Sequence, residues 1–353
     1  MKTFLDYNRR LRRLRRKLSE AGADALLVSD GVDISYLTGT YFENNLLLLF
    51  GSGRTLYLAD GMNRDLVMHR MSALDVDVKG GAIYGELVRV LQNDGVRKLF
   101  LSLDNITAGV FNRLRGDLKR TTMMDAPGFI SGMRMIKDED EVNVIRRAAR
   151  KTMDVWRRVK RVVSPGITEK ALAGIVDVEI RKVSDGNSFP TIAAAGPMSA
   201  FPHAIPGDKV VMPGEHVLFD FGIRLEGYCS DLTRIWAKGR INRKIREARE
   251  AVYRVNRDII NRLKPGIRIG TLEKLAHKYF SDNALDKYMC HGLGHGVGLN
   301  VHERPFFRIN SGLSLKKGMV ITVEPGLYIP GVGGIRKEDM VLVNSKGCEV
   351  LTV

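Results

Sequence analysis

Ser164-Pro165-Gly166-Ile167 recurs as Lys264-Pro265-Gly266-Ile267, one hundred residues later and again after a long helical stretch. The echo continues beyond the motif. His203 lies 38 residues past Pro165, and His302 lies 37 past Pro265. Gly214 precedes Asp220 by six positions, and Gly318 precedes Glu324 by six. A second acid follows each, Asp231 after 11 positions and Glu338 after 14. Self-similarity at a fixed offset marks a duplicated structural unit. It predicts a pseudo-two-fold domain of two α+β halves, each delivering one histidine and two carboxylates to matching places.

Asp220 sits in the apolar run 217–221, and Asp231 follows the turn-like Leu225-Glu226-Gly227, which predicts a hairpin with both carboxylates facing inward. Glu324 is embedded in the same way behind Val-Ile-Thr-Val at 320–323. An ionised carboxylate in such a run is costly unless it is paired, hydrogen-bonded or bound to a metal. Any one of these acids alone reads as a turn cap or a buried ion pair. Four of them converging with one histidine can hold two divalent ions, with acids bridging between them. Oxygen-rich ligation with a single imidazole suits Mn²⁺, Co²⁺ or Fe²⁺ and admits Zn²⁺. Of seven histidines, three fall in the segment 291–302, His-Gly-Leu-Gly-His-Gly-Val-Gly-Leu-Asn-Val-His. Its glycines are expected to let backbone approach a bound group and free the His295 ring to reach an ion. No Gly-Lys-Ser/Thr follows them, so a phosphate loop is not supported.

The first 125 residues alternate in type. Strand-like runs at 25–28, 46–50, 55–58 and 98–101 are separated by helical patterns such as 85–93 and 108–118, which predicts a small α/β domain. Pro127, Gly128 and Gly132 suggest a linker over 126–136. The stretch 137–162 then reads as one long helix, acidic at its start and basic at its end, as the helix dipole favours.

Several function classes fall away on composition. With 44% hydrophobic residues the chain is not disordered. Its longest strongly apolar run, 46–50, is far short of the roughly 20 residues that span a bilayer. No secretory h-region follows Met1, so a cytoplasmic location and no membrane partner are expected. Cys229, Cys290 and Cys348 have neither zinc-site spacing nor the number for a disulfide framework. The 56 basic against 40 acidic residues leave +16. Much of that excess lies on Arg9, Arg10, Arg12, Arg13, Arg15, Arg16 and Lys17, interleaved with Leu11, Leu14 and Leu18 at helical spacing. This is an amphipathic helix with a solvated basic face; no zinc finger, RNP aromatic motif or helix-turn-helix accompanies it, so nucleic acid is not an expected partner.

Asp-Ile-Ser-Tyr-Leu-Thr-Gly at 33–39, Met-Ile-Lys-Asp-Glu-Asp-Glu at 135–141, Gly-Tyr-Cys-Ser-Asp-Leu-Thr-Arg at 227–234, the segment 291–305 and Gly-Ile-Arg-Lys-Glu-Asp-Met at 334–340 together resemble the proline-specific branch of the pita-bread metallopeptidases, the superfamily of creatinase, prolidase and methionine aminopeptidase. The resemblance covers essentially the whole chain. It implies a creatinase-like α/β N-terminal domain at 1–125, a linker at 126–136 and an α+β pita-bread catalytic domain at 137–353 with the internal pseudo-two-fold repeat. It further implies that Asp220 chelates one metal, that His295 and Glu324 complete the other, and that Asp231 and Glu338 bridge both. Glu324 doubles as general base and proton shuttle, His203 contacts the scissile region, and His302 stabilises the tetrahedral oxyanion. His291 and Arg336 match substrate-binding positions of the proline-specific members. The implied reaction is hydrolysis of the Xaa-Pro bond with two divalent ions, Mn²⁺ or Co²⁺ first and Fe²⁺ or Zn²⁺ after them.

Dipeptides are the expected substrates, with removal of the first residue from longer Xaa-Pro peptides as the alternative and a non-catalytic binding protein on the same scaffold as a reading of another class. Short proline-containing peptides are the expected partners, and a homodimer the expected assembly. Two departures bear on substrate: Phe306-Phe307-Arg308 stands where prolidases often have a more polar start, leaving Arg308 or Arg336 to capture a carboxylate, and Lys337 replaces a commonly apolar residue.

Overall fold

The computed structural model describes residues 5–40, 42–126 and 128–353. The chain divides into two compact units, the first ending at Arg134 and the second running from Met135 to Val353. The boundary falls inside the segment expected as a linker. That segment is not simply a connector, because it contains a helix (Phe129–Arg134) whose Ile130 and Met133 are buried.

In the first unit, strands β1 (Ala25–Val28), β2 (Leu46–Phe50), β3 (Thr55–Ala59), β4 (Asp77–Gly80), β5 (Lys98–Leu101) and β6 (Thr122–Asp125) form one sheet in the order β4-β3-β2-β1-β5-β6. The chain between them forms α1 (Tyr7–Glu20, ahead of β1), α2 (Gly31–Thr38), α3 (Arg64–Arg70), α4 (Ile83–Asn93) and α5 (Ala108–Asp117), and α6 is the helix at the boundary. Strands β1, β5 and β6 are parallel, whereas β1-β2-β3 are antiparallel, which suits a sheet fed partly by helical crossovers. The three leucines of α1 are fully buried, and its Arg9, Arg12, Arg13 and Arg16 face solvent. Arg10 is the exception: it folds inward, donates to the Tyr36 carbonyl at 2.8 Å and lies 4.3 Å from the Tyr36 ring.

The second unit repeats itself as the sequence echo predicts. Helices α7 (Glu139–Val162) and α8 (Glu169–Arg181) pack together in the first half, α9 (Arg243–Ile260) and α10 (Ile269–Asp282) in the second. Asp138 caps α7 in a capping box with Glu141, so the acidic start found in the sequence satisfies the free N–H groups of the first turn. The two Pro-Gly-Ile motifs occupy equivalent helix–helix turns and make equivalent bonds. Gly166 N donates to Val211 O and Val211 N to Ile167 O; Gly266 N donates to Leu315 O and Leu315 N to Ile267 O, all at 2.9 Å. Each half then opens its site-bearing strand from a glycine in the left-handed region, Gly214 (φ 81°) and Gly318 (φ 88°).

The strands that follow are β7 (Gly186–Asn187), β8 (Ile192–Ala195), β9 (His216–Asp220), β10 (Ile223–Leu225), β11 (Tyr228–Cys229) and β12 (Thr233–Ala237) in the first half. The second half has β13 (His295–Gly296), β14 (Glu303–Phe306), β15 (Val320–Val323), β16 (Gly326–Ile329), β17 (Gly333–Arg336), β18 (Asp339–Val343) and β19 (Cys348–Val350). Sheet β12-β9-β8 carries the first pair of acids and sheet β14-β13-β15-β18-β19 the second. The turn expected to join Asp220 to Asp231 closes a smaller hairpin, β10–β11, while the acid-bearing strands β9 and β12 pair directly with Thr233 opposite Asp220. One apolar core lies under α7 and α8, with Val155, Val176 and Phe219 at its centre. Another lies under α9 and α10, with Val252, Leu272 and Ile321. Among the described residues no helix is long and apolar enough to cross a membrane.

Candidate active site

The acids and His295 sit at strand ends, where backbone pairing holds their Cα atoms and the apolar cores behind exclude water. Asp220 ends β9, Asp231 leads into β12, Glu324 follows β15, and Glu338 leads into β18. The structure brings all five expected metal ligands together. Donor atoms of His295, Glu324 and Glu338 lie within 4.8 Å of one another, as do those of Asp220, Asp231 and Glu338. Glu338 is common to both trios. Asp231 also approaches His295, its Oδ2 lying 3.7 Å from Nε2, and a third trio adds His302.

The electrostatics of this cluster show what it needs. Burial, followed by the charges of Glu338, Asp220 and Glu324, raises the Asp231 carboxyl well above its usual range. Burial and the charges of Glu324 and Asp220 push Glu338 up to about 8. Burial raises Asp220 also, although Arg336 Nη2 donates to its Oδ2 at 2.5 Å. Burial would raise Glu324 too, but the bond and charge of His295 (Nε2 to Oε1, 3.2 Å), with His291 and Arg336, hold it down at about 2. The second oxygen of Asp220, Oδ1, is buried and has no hydrogen-bond partner. Repelling carboxylates and an orphaned buried oxygen are compensated by cations in a dry site. The donor set therefore fits divalent metal: four carboxylates, one imidazole, and Glu338 in position to serve two ions. His295 Nδ1 contacts the Gly296 carbonyl at 3.1 Å, which fixes the tautomer that leaves Nε2 facing the acids.

Three further histidines line the same cleft, of about 670 Å³. The His302 ring meets His295 edge-on, centroids 4.4 Å apart. Burial, helped by the His295 charge, lowers the His302 pKa, and burial lowers that of His291. His291 Nε2 lies 2.8 Å from the Tyr328 hydroxyl, which accepts from Arg336 Nη1 at 2.7 Å. His203 is exposed on the loop after β8 and contributes to the fields at His291 and His302. Arg336 lines the cleft but is spent on Asp220, Tyr328 and Thr233. Arg308 lines it too, is exposed, and makes no side-chain hydrogen bond or ion pair among the described residues.

The glycines around His295 serve a purpose other than the expected one. A Cβ at Gly294 would lie 2.2 Å from Thr322 O, and one at Gly296 2.3 Å from Arg304 O, so they are there for close strand approach rather than for access to a ligand. Reading the motifs alone passes over Tyr328, Thr233 and Thr322. Thr233 Oγ1 donates to Glu338 at 2.8 Å, and Thr322 Oγ1 to Glu324 at 3.2 Å while accepting from His295 N at 3.0 Å. Strand alternation was the available signal, since Thr233 lies two residues from Asp231 and Thr322 two from Glu324, on the same faces.

Residues 143–345 match metallopeptidase family M24. The chain belongs to that family. Residues 10–136 match the creatinase/prolidase N-terminal domain, so this M24 metallopeptidase has the two-part layout of a creatinase-type N-terminal domain followed by a catalytic domain. It is 31% identical to YkvY of Bacillus subtilis (strain 168), which carries a dipeptidase name, over 97% of both chains. It is similar to the structure of an Xaa-Pro dipeptidase from Bacillus anthracis, with TM-score 0.93 and 28% identity over 98% of both chains. It also resembles an X-Pro aminopeptidase from Thermotoga maritima MSB8, with TM-score 0.86 and 28% identity over 96% of this chain and 97% of that one.

Proposed function

We propose that this M24 metallopeptidase hydrolyses the Xaa-Pro bond of dipeptides. The observation that carries the reading is the pairing of a buried five-donor cluster with Arg308, which lies on the wall of the same cleft and has no side-chain partner among the described residues. A tertiary Xaa-Pro amide offers no N–H to the enzyme, so recognition falls on shape, on the free amine and, in a dipeptide, on the terminal carboxylate. An arginine free of partners is the side chain suited to that carboxylate.

In this reading Asp220, Asp231, His295, Glu324 and Glu338 hold two divalent ions, Mn²⁺ or Co²⁺ in preference to Fe²⁺ or Zn²⁺, on the strength of the oxygen-rich donor set. When bound, such ions supply Lewis acidity that polarises the scissile carbonyl and acidifies water. Glu324, held ionised, takes the proton of the attacking water and passes it to the prolyl nitrogen. His302, kept neutral near pH 7 by burial, donates N–H to the developing oxyanion, and His203 contacts the group around the scissile bond. His291 and Arg336, tied through Tyr328, shape the wall on which the substrate rests. We carry with this reading a homodimer acting in the cytoplasm on short proline-containing peptides, with no nucleic-acid or membrane partner; it rests on the family resemblance. The aminopeptidase reading keeps one support, a cleft of about 670 Å³ with room beyond a dipeptide.

The test compares an Xaa-Pro dipeptide, its C-terminal amide and an Xaa-Pro-Yaa tripeptide on enzyme reloaded with Mn²⁺ or Co²⁺. A dipeptidase turns over the acid well above the amide, and Arg308→Gln raises KM for the acid about tenfold while leaving the amide unchanged, the expected loss of a charge-assisted bond. Equal turnover of amide, acid and tripeptide supports the aminopeptidase, and no turnover of any overturns both.

A further inference from the structure

Lys137 and Glu303 form an ion pair, Nζ to Oε1 at 2.7 Å, with side chains only 1% and 8% exposed. Withdrawing an ammonium and a carboxylate from water costs several kcal/mol per ion, which mutual attraction repays only in part, and well-packed apolar side chains commonly fill such a space at no loss of stability. A pair of this kind earns its place through geometry, and its surroundings show which geometry it governs.

On one side, the Lys137 backbone N donates to Gly318 O at 2.8 Å. Gly318 opens β15, the strand that delivers Glu324. A Cβ there would lie 2.9 Å from the Lys137 carbonyl, so the two backbones are pressed together. On the other side, Glu303 Oε2 accepts from Asn300 N at 3.4 Å, and a Cβ on Gly298 would lie 2.4 Å from Oε1. The carboxylate therefore fills the space beneath the turn 298–302, itself closed by Gly298 N to Asn300 O at 3.0 Å. That turn links β13, which carries His295, to β14, and it carries His302. The His302 side chain has no hydrogen bond of its own among the described residues; its one ring contact is with His295 at 4.4 Å. Among the described residues no hydrogen bond therefore holds the ring, and its placement against His295 comes from the backbone of the turn.

We infer that Lys137, through Glu303, is a positioning residue that fixes the turn 298–302 and so holds His302 against His295 in the cleft. The inference rests on the reading above in which His302 contacts the reacting group. Lys137 itself lines no part of the cleft and touches no donor of the metal cluster.

The experiment uses the full metal-loaded chain and compares four forms: wild type, Lys137→Met with Glu303→Leu, His302→Ala, and the triple variant. The apolar pair is expected to keep the wild-type urea midpoint and metal content while kcat on an Xaa-Pro dipeptide falls at least tenfold with KM within threefold. Adding His302→Ala to it is expected to cost nothing further, because both changes remove the same contribution. Amide exchange across 298–302 is expected to quicken in the apolar pair. A fifth form, Lys137→Arg, keeps the charge and folds where an apolar pair fails, and is expected to lose less kcat than the apolar pair. Unchanged kcat in the apolar pair, losses that add with His302→Ala, or unchanged exchange across 298–302 would each overturn the inference. Should wild type turn over no Xaa-Pro substrate, that reading fails by itself, and the exchange measurement still decides whether Lys137 holds the turn.

Discussion

Removing a carboxylate common to two donor trios of the cluster should stabilise this protein when it is metal-free and alkaline. The perturbation is Glu338→Gln, a neutral side chain of the same shape as the protonated acid. Burial and the charges of Glu324 and Asp220 raise the Glu338 carboxyl from 4.5 to about 8. A group whose native pKa lies above its unfolded value binds extra protons in the folded state, so the fold weakens as pH climbs through the window between the two. The loss is absent below about pH 4.5 and complete above about pH 8; at ~1.4 kcal/mol per pH unit it reaches about 5 kcal/mol, shared across a cluster that titrates together. Glutamine carries no such loss. In chelator at pH 8.5 the variant is expected to exceed wild type by several kcal/mol, about 3–5, and at pH 5 the two should agree within about 1. His295, which burial lowers but Glu324 and Glu338 raise overall, weakens the fold with rising pH in both proteins. It does so less in the variant, which lacks the Glu338 charge, so it adds to the difference with the same sign.

The assay is urea unfolding followed by tryptophan fluorescence. Both tryptophans, Trp156 and Trp236, lie in the unit that carries the site, so the signal reports on that unit alone. With metal at 100 times its Kd the gap should shrink by about 2.7 kcal/mol, which wild type gains and the variant largely forgoes. A metal-free variant weaker than wild type at pH 8.5, or a gap that does not change with pH, refutes the argument.

Arg336→Met strips Asp220 of its cationic partner, and in chelator at pH 8 the unfolding midpoint should fall by the equivalent of about 3–5 kcal/mol, with part of it regained on metal loading. Gly222→Ala puts a Cβ 1.8 Å from the Ser230 carbonyl, a backbone atom that cannot give way; thermal unfolding should show a loss above about 4 kcal/mol, and elemental analysis less metal per chain than wild type. Chelation should abolish peptide hydrolysis and Mn²⁺ or Co²⁺ restore it, with elemental analysis finding two ions per chain. Loading at pH 7 should expel at least about one proton per chain, from Glu338 and Asp231, read by calorimetry in two buffers of different ionisation heat.

Much of the fold was legible because the signals were local. Strands 25–28 and 46–50 are continuous apolar runs, 98–101 is one after its leading Lys98, all three appear with those bounds, and α7 begins where Asp138 caps it. Helix α2 and strands β4 and β6 were not legible. The eight residues of α2 carry no clear apolar stripe, and β4 and β6 are half-exposed edges of the sheet whose partners lie far along the chain. The direct pairing of β9 with β12 was hidden by the turn at 225–227, which is a good hairpin signal but belongs to β10 and β11, inserted between them. Of the site, the five donors and the three other histidines were all named in advance. The threonines that orient Glu338 and Glu324 were not, although alternation placed them two residues from Asp231 and Glu324; nor was the Tyr328 link between Arg336 and His291, because a lone hydroxyl in a strand does not announce what stands across the sheet.

What the sequence by itself determined is the inventory and its symmetry: which donors exist, and that two similar halves present them at equivalent strand ends. Ligand chemistry is a property of residue type, and the duplication is written in spacing. What only the tertiary structure decided is how those groups share charge. Desolvation and Coulomb energy depend on what packs around a carboxylate. Only the folded chain therefore makes Glu338 common to two trios, spends Arg336 on Asp220, leaves Arg308 without a partner among the described residues, and sets Lys137 beneath the turn that carries His302.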